Sequence, residues 1–194
     1  MTVFVAGFIA ASEIGLWVLL GLGLALRYVF RRRRASTVTL ALIPLLDLAL
    51  VIAVAADLRR GAEAGTTHGL AGIYLGFSIA FGPAIVRWAD VRFAHRFADG
   101  PAPVKLPKHG PERMAALWRE WFRVVLAAVI ASVVMLGLVA LVADGDQDGV
   151  LLDWIRPPWT LVGLWFLFGP LWELPTSRRV DQREAESASS RSSS

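Results

Sequence analysis

Apolar residues fall along this chain in five blocks, 4–26, 38–56, 70–86, 122–142 and 154–172, parted by short polar or charged stretches. One bilayer crossing takes about 20 mostly apolar residues, so the pattern predicts five transmembrane helices. The fifth block opens on Arg156, Pro157 and Pro158. Proline is tolerated in the first helical turn, where its missing N–H has no intrahelical partner, so that helix is predicted to begin near Pro157 or Pro158. Between the third and fourth blocks, Val86, Ala89, Phe93 and Phe97 recur at helical spacing, with Arg92 and Arg96 on another face. This predicts a third span running on into an amphipathic interfacial helix within 87–120. Gly100, Pro101, Pro103, Pro107, Gly110 and Pro111 then predict a non-helical linker, and 112–120 the start of the fourth helix. The domain reading is a membrane domain over 1–174 and a tail, 175–194, rich in Ser, Arg and Glu and without aromatics, that is expected to be disordered.

Composition sharpens this picture. The chain is 56% hydrophobic and only 19% charged. A soluble domain would be about 25% charged, so a soluble globular enzyme is excluded. No cleavable signal peptide is expected: the first block lacks a basic leader and a small-residue cleavage motif, and ends in Arg31, Arg32, Arg33 and Arg34. Seventeen of the 20 Lys and Arg residues flank the blocks on one side, and Arg59, Arg60 and Arg156 stand on the other beside Asp144, Asp146, Asp148 and Asp153. Positive charge collects in the cytoplasm, so the expected topology has the N-terminus outside, five crossings and the C-terminus in the cytoplasm of a cell membrane. Trp88, Trp118, Trp121 and Trp172 then lie at cytoplasmic ends and Trp154 and Trp159 at external ends, where amphipathic rings prefer to sit. The basic balance therefore points to anionic lipid on the cytoplasmic face, through Arg31 to Arg34, Arg87, Arg92, Arg96, Lys105 and Lys108, and not to nucleic acid. Arg outnumbers Lys 18 to 2, a skew typical of a GC-rich genome.

Candidate chemistry is sparse. There is no cysteine, which removes disulfides and thiolate chemistry. Glu13 in the first block and Asp47 in the second each lie about nine residues, or ~13 Å, from the start of their span, so both are expected near mid-bilayer. Ionisable groups at that depth are costly and mark functional sites by default. With no Lys or Arg at that level, the two must be protonated, hydrated or bound to a cation, and if they meet they share a proton. The plainer reading is that each is neutral and hydrogen-bonds a neighbouring helix, with groups freed by Pro44 as partners. His68, His95 and His109 have no ligand spacing, and the topology separates the first from the others. Asp57, Arg59, Arg60 and His68 flank one outer loop, where a lone histidine at a helix start reads as a cap or surface residue. Asp144, Asp146 and Asp148 alternate as in a calcium loop, but Ile155 occupies the position of the closing Glu, so a solvated turn is favoured. No metalloprotease, Walker or nucleophile-elbow motif is present; Gly76-Phe77-Ser78-Ile79-Ala80 imitates the last inside a span, and Ser78 reads as a packing residue. No catalytic residue, metal or cofactor is assigned.

Small residues recur every four positions as Gly7, Ala11 and Gly15, and as Gly72, Gly76 and Ala80. Such stripes let helices approach closely in lipid, within one bundle or between copies or membrane partners. The segments Arg27-Tyr28, Pro44 to Leu48, His68 to Ala71, Gly76 to Ser78 and Trp88 to Ala94 resemble those of uncharacterised small multi-span membrane proteins of Gram-positive, especially actinobacterial-type, bacteria. That resemblance implies no activity. The fold class expected is an all-α integral membrane bundle. The leading functional reading is a non-enzymatic binding or regulatory protein; the alternative is a small transporter or proton- or cation-coupled factor using Glu13 and Asp47. A lipid-modifying enzyme is a distant third.

Overall fold

The computed structural model describes residues 2–97, 100–103, 107 and 110–173. The tail 175–194, Lys105 and Lys108 lie outside the described residues, as do the surroundings of Gly7 and the side chains of Ala11, Glu13 and Arg33. The described chain is helical: α1 (Thr2–Tyr28), α2 (Arg33–Arg59), α3 (Thr66–Phe97), α4 (Pro111–Leu141), α5 (Gly145–Asp153) and α6 (Arg156–Phe166), the last running directly into a π-helical turn, Leu167–Leu171. Arg34–Arg59, Thr66–Arg96 and Pro111–Leu141 are long and apolar enough to cross a membrane, and Trp17–Tyr28 is a shorter apolar helix. Helices suit this solvent because every backbone donor and acceptor is satisfied within the segment. Pro44 and Pro83 sit inside α2 and α3 without ending them. Pro170 lies in the π-turn, where the widened ladder accommodates its missing N–H.

Helix α1 packs along α2, α2 against α3, and α3 along α4, which also carries α5 and α6. The tightest core joins four helices at the end of the bundle away from the arginine run: Leu50, Val54 and Leu58 of α2, Ala71 of α3, Met135 and Leu138 of α4, and Leu151 of α5. A smaller core of Val124, Ala128 and Val162 joins α4 to α6. Elsewhere large apolar side chains face outward, among them Trp17, Val38, Ile52, Val133 and Phe168. Apolar surface on this scale is a liability in water and the expected complement of lipid.

One expectation narrows here and one changes. The stripe Gly72, Gly76 and Ala80 is buried within the chain. A Cβ on Gly72 would lie 2.6 Å from Met135 Cε, and one on Gly76 2.4 Å from the Ala127 carbonyl oxygen, so within the chain the stripe is the seat of α4, the bundle alternative of the two expected. The acidic segment 144–149 is not a turn. Asp144 caps α5, and Gln147 Oε1 accepts the Asp144 N–H at 3.0 Å. Gln147 Nε2 then donates to the carbonyls of Ala62 at 2.7 Å and Leu58 at 3.4 Å. One buried glutamine thus starts α5 and ties it to backbone carbonyls at and just beyond the end of α2.

Candidate functional site

Three polar pairings lie at successive levels of α3, each joining it to a different stretch of chain. At the arginine-rich end, α1 finishes on Arg27 and Tyr28, and both reach Asp90 of α3. Arg27 Nη2 donates to Asp90 Oδ2 at 2.5 Å, and the Tyr28 hydroxyl donates to Asp90 Oδ1. Tyr28 also stacks on Phe93, ring centroids 4.5 Å apart, one helical turn along from Asp90. One carboxylate thus takes a guanidinium on one oxygen and a phenol on the other, the stronger class of hydrogen bond because a partner is charged. The sequence reading missed this cluster as a site, although both segments carried the family resemblance. An acid three residues before an aromatic at a membrane interface was the available signal.

Near the middle, the Ser78 hydroxyl of α3 donates to Asp47 Oδ2 of α2, and Asp47 is only 5% exposed. Ser78 is therefore a polar partner and not merely a packing residue, and it fills the role expected of backbone groups near Pro44. Whether Glu13 comes near Asp47 is outside the described residues. Interhelical hydrogen bonds in membranes contribute on average ~0.6 kcal/mol and at most ~1.7 kcal/mol. Ser78→Ala is expected to lower stability within that range in reversible unfolding in mixed micelles, and Asp47→Asn to retain the lock. An Asp47→Asn protein that folds normally and loses its cellular phenotype would instead place proton or cation chemistry at Asp47.

At the far end, His68 Nε2 lies 3.5 Å from Asp57 Oδ2, and both residues are buried. His68 Nδ1 accepts the Gly65 N–H at 3.2 Å, so the ring closes the first turn of its own helix. It is a cap, as the sequence allowed, but a buried one. The next residue, Gly69, lies under the indole of Trp154; a Cβ there would stand 2.0 Å from Trp154 Cδ2. Among the described residues no group of His, Cys, Asp or Glu could hold a metal ion.

The arginines expected to meet anionic lipid are not members of these pairs. Arg31, Arg32, Arg34, Arg87, Arg92 and Arg96 are all exposed. Arg92 lies over the Trp88 ring, 4.1 Å from its centroid. Trp118, Trp121 and Phe166 form an aromatic cluster joining α4 to α6, with centroids 5.4 to 6.0 Å apart. Trp121 Nε1 donates to the Val162 carbonyl at 3.2 Å. An apolar cleft of about 240 Å³ between α3, α4 and α6 is lined by residues such as Phe77, Phe81, Pro158 and Trp165, which offer no side chain to hold a charge.

The chain is 35% identical over 164 residues to the uncharacterized membrane protein YmcC of Bacillus subtilis (strain 168), covering 84% of this chain and 88% of that one. The relative comes from a Gram-positive bacterium and does not support the narrower actinobacterial resemblance. No protein-family model matches the chain, and no solved structure does.

Proposed function

Given that this chain belongs to the family of membrane proteins that includes Bacillus subtilis YmcC, we propose that it is a non-enzymatic, multi-pass binding or regulatory protein of the cell membrane. Its arginine-rich end faces the cytoplasm and engages anionic lipid. The Arg-over-Lys skew supports an actinobacterial-type member of the family.

The observation that carries the reading is the placement of charge. Asp47, Asp57 and Asp90 each face a side chain of another helix. Arg31, Arg32, Arg34, Arg87, Arg92 and Arg96 are turned outward at one end. Interior polar groups used in this way lock helices together, and the outward arginines are what the molecule offers to another. Each basic residue near an acidic leaflet contributes about 1 kcal/mol.

The alternative, a proton- or cation-coupled factor, draws support from the burial of Asp47. Distance counts against it. His68, Ser78 and Asp90 are ten and twelve residues apart on α3, or ~15 and ~18 Å at helical rise. Proton transfer needs partners at ~2.6–3.2 Å or one intervening water, so these three levels form no relay by themselves.

The test is lipid retention by the full-length protein, extracted from membranes of mixed phosphatidylglycerol and phosphatidylcholine. Phosphatidylglycerol is expected to be enriched at low salt. The enrichment should fade near 1 M salt, where the screening length shrinks to about 3 Å. It should also fall when Arg31, Arg87 and Arg92 are all changed to Gln. Retained lipid of the same composition as the membrane would overturn the reading.

A further inference from the structure

We infer that the arginine-rich end holds one discrete site for a phosphate-bearing anionic lipid, in the cleft where the end of α1 meets the start of α2. This rests on the lipid-binding reading above and narrows it from a diffuse field to a seat. The cleft is a shallow, open groove of about 470 Å³ lined by Arg27, Arg34, Thr37 and Val38. Among the described residues no carboxylate lines it.

The lining has the order of a lipid. Arg34, Thr37 and Val38 stand at i, i+3 and i+4 of α2 and share one face of the helix. Val38 lies one turn, ~6 Å, further into the helix than Arg34 and is 64% exposed. A guanidinium above and a bare apolar side chain below match a phosphate above its acyl chain. A soluble anion would use the first and leave the second without a partner.

Arg27 supplies the other wall. Its bond to Asp90 uses Nη2 and orients the guanidinium, whose five N–H donors leave others for a second anion. Because the side chain is already held, less rotamer freedom is lost on binding. The reversal between the helices brings the two arginines to one cleft. Arg31 takes φ +56°, and Phe30 N–H and Arg32 N–H bond back to the carbonyls of Ala25 and Leu26. Asp90 offsets the charge of Arg27, and Arg34 brings a second guanidinium to the lining, so the site stays positive, as a phosphodiester requires.

The experiment uses full-length protein in nanodiscs, with bound lipid counted by native mass spectrometry. Phosphatidylglycerol is the probe, phosphatidylcholine the neutral background, and inorganic phosphate the soluble competitor. Arg34→Gln is expected to lower phosphatidylglycerol retention about fivefold, the loss of one lipid-facing charge. Arg119→Gln, which removes an exposed charge on α4, should change it less than twofold, and millimolar phosphate should not displace the lipid. Equal losses in the two variants would overturn the discrete site and leave the charged surface intact. Displacement by phosphate would reassign the cleft to a soluble anion and overturn the lipid. No preference for phosphatidylglycerol in the unaltered protein would overturn the surface reading itself.

Discussion

Gly76→Ala should force α3 and α4 apart. The added Cβ would stand 2.4 Å from the Ala127 carbonyl oxygen, 3.2 Å from its carbon and 3.3 Å from the Ala131 nitrogen. All three are backbone atoms, so no rotamer change relieves the clash and the helix axes themselves must move. Overpacking of this kind costs about 1–3 kcal/mol. The helix gains at most ~1 kcal/mol in propensity from the same substitution, so the clash wins. Gly137→Ala on α4 is the control, because a Cβ there meets nothing within 4 Å. Reversible unfolding in mixed micelles should show Gly76→Ala destabilised and Gly137→Ala unchanged or slightly stabilised. A Gly76→Ala protein as stable as the parent would mean that the two helices do not meet at this glycine.

The second large effect is expected at Asp90. Its side chain is 26% exposed and that of Arg27 20%, between the surface and buried limits for an ion pair. Exposed pairs contribute about 0–1 kcal/mol, and losing one partner of a buried pair costs ~3–5 kcal/mol. Asp90→Ala removes the acceptor for both Arg27 and Tyr28, and a loss of about 2 kcal/mol is expected. Tyr28→Phe keeps the stack on Phe93 and removes one hydrogen bond, so about 1 kcal/mol is expected. The order of the two variants is the informative result. If Tyr28→Phe were the more damaging, the anchor of α1 would lie in the phenol and not in the carboxylate.

The helical membrane class was legible residue by residue. Apolar blocks announce helices because lipid leaves the backbone no partner outside its own segment, which is a local constraint. Charge asymmetry around those blocks is equally local, and it supplied an expected topology. The candidate sites were legible only in halves. Asp47 stood out as an acid inside an apolar block, yet Ser78, 31 residues on, looked like any small residue of a span. Asp90 falls in the interfacial segment and Arg27 just after the first apolar block, 63 residues apart, and nothing in either stretch names the other. The acidic loop misled for a related reason. Its aspartates suggested solvent or a cation, while Gln147, the residue that docks α5 onto the end of α2, carried no signal of its own.

The sequence by itself determined that the chain is helical, that it belongs in a membrane, and where its basic charge gathers. The tertiary structure alone decided which helix each small-residue face serves and which partner each buried acid finds. In water, hydrophobic patterning tells a helix face inward from outward. In lipid the surroundings are as apolar as the neighbouring helix, so hydropathy does not distinguish the two faces. The choice falls to shape and to single hydrogen bonds, such as Gly76 against the Ala127 carbonyl and Ser78 against Asp47, which exist only once the helices are side by side.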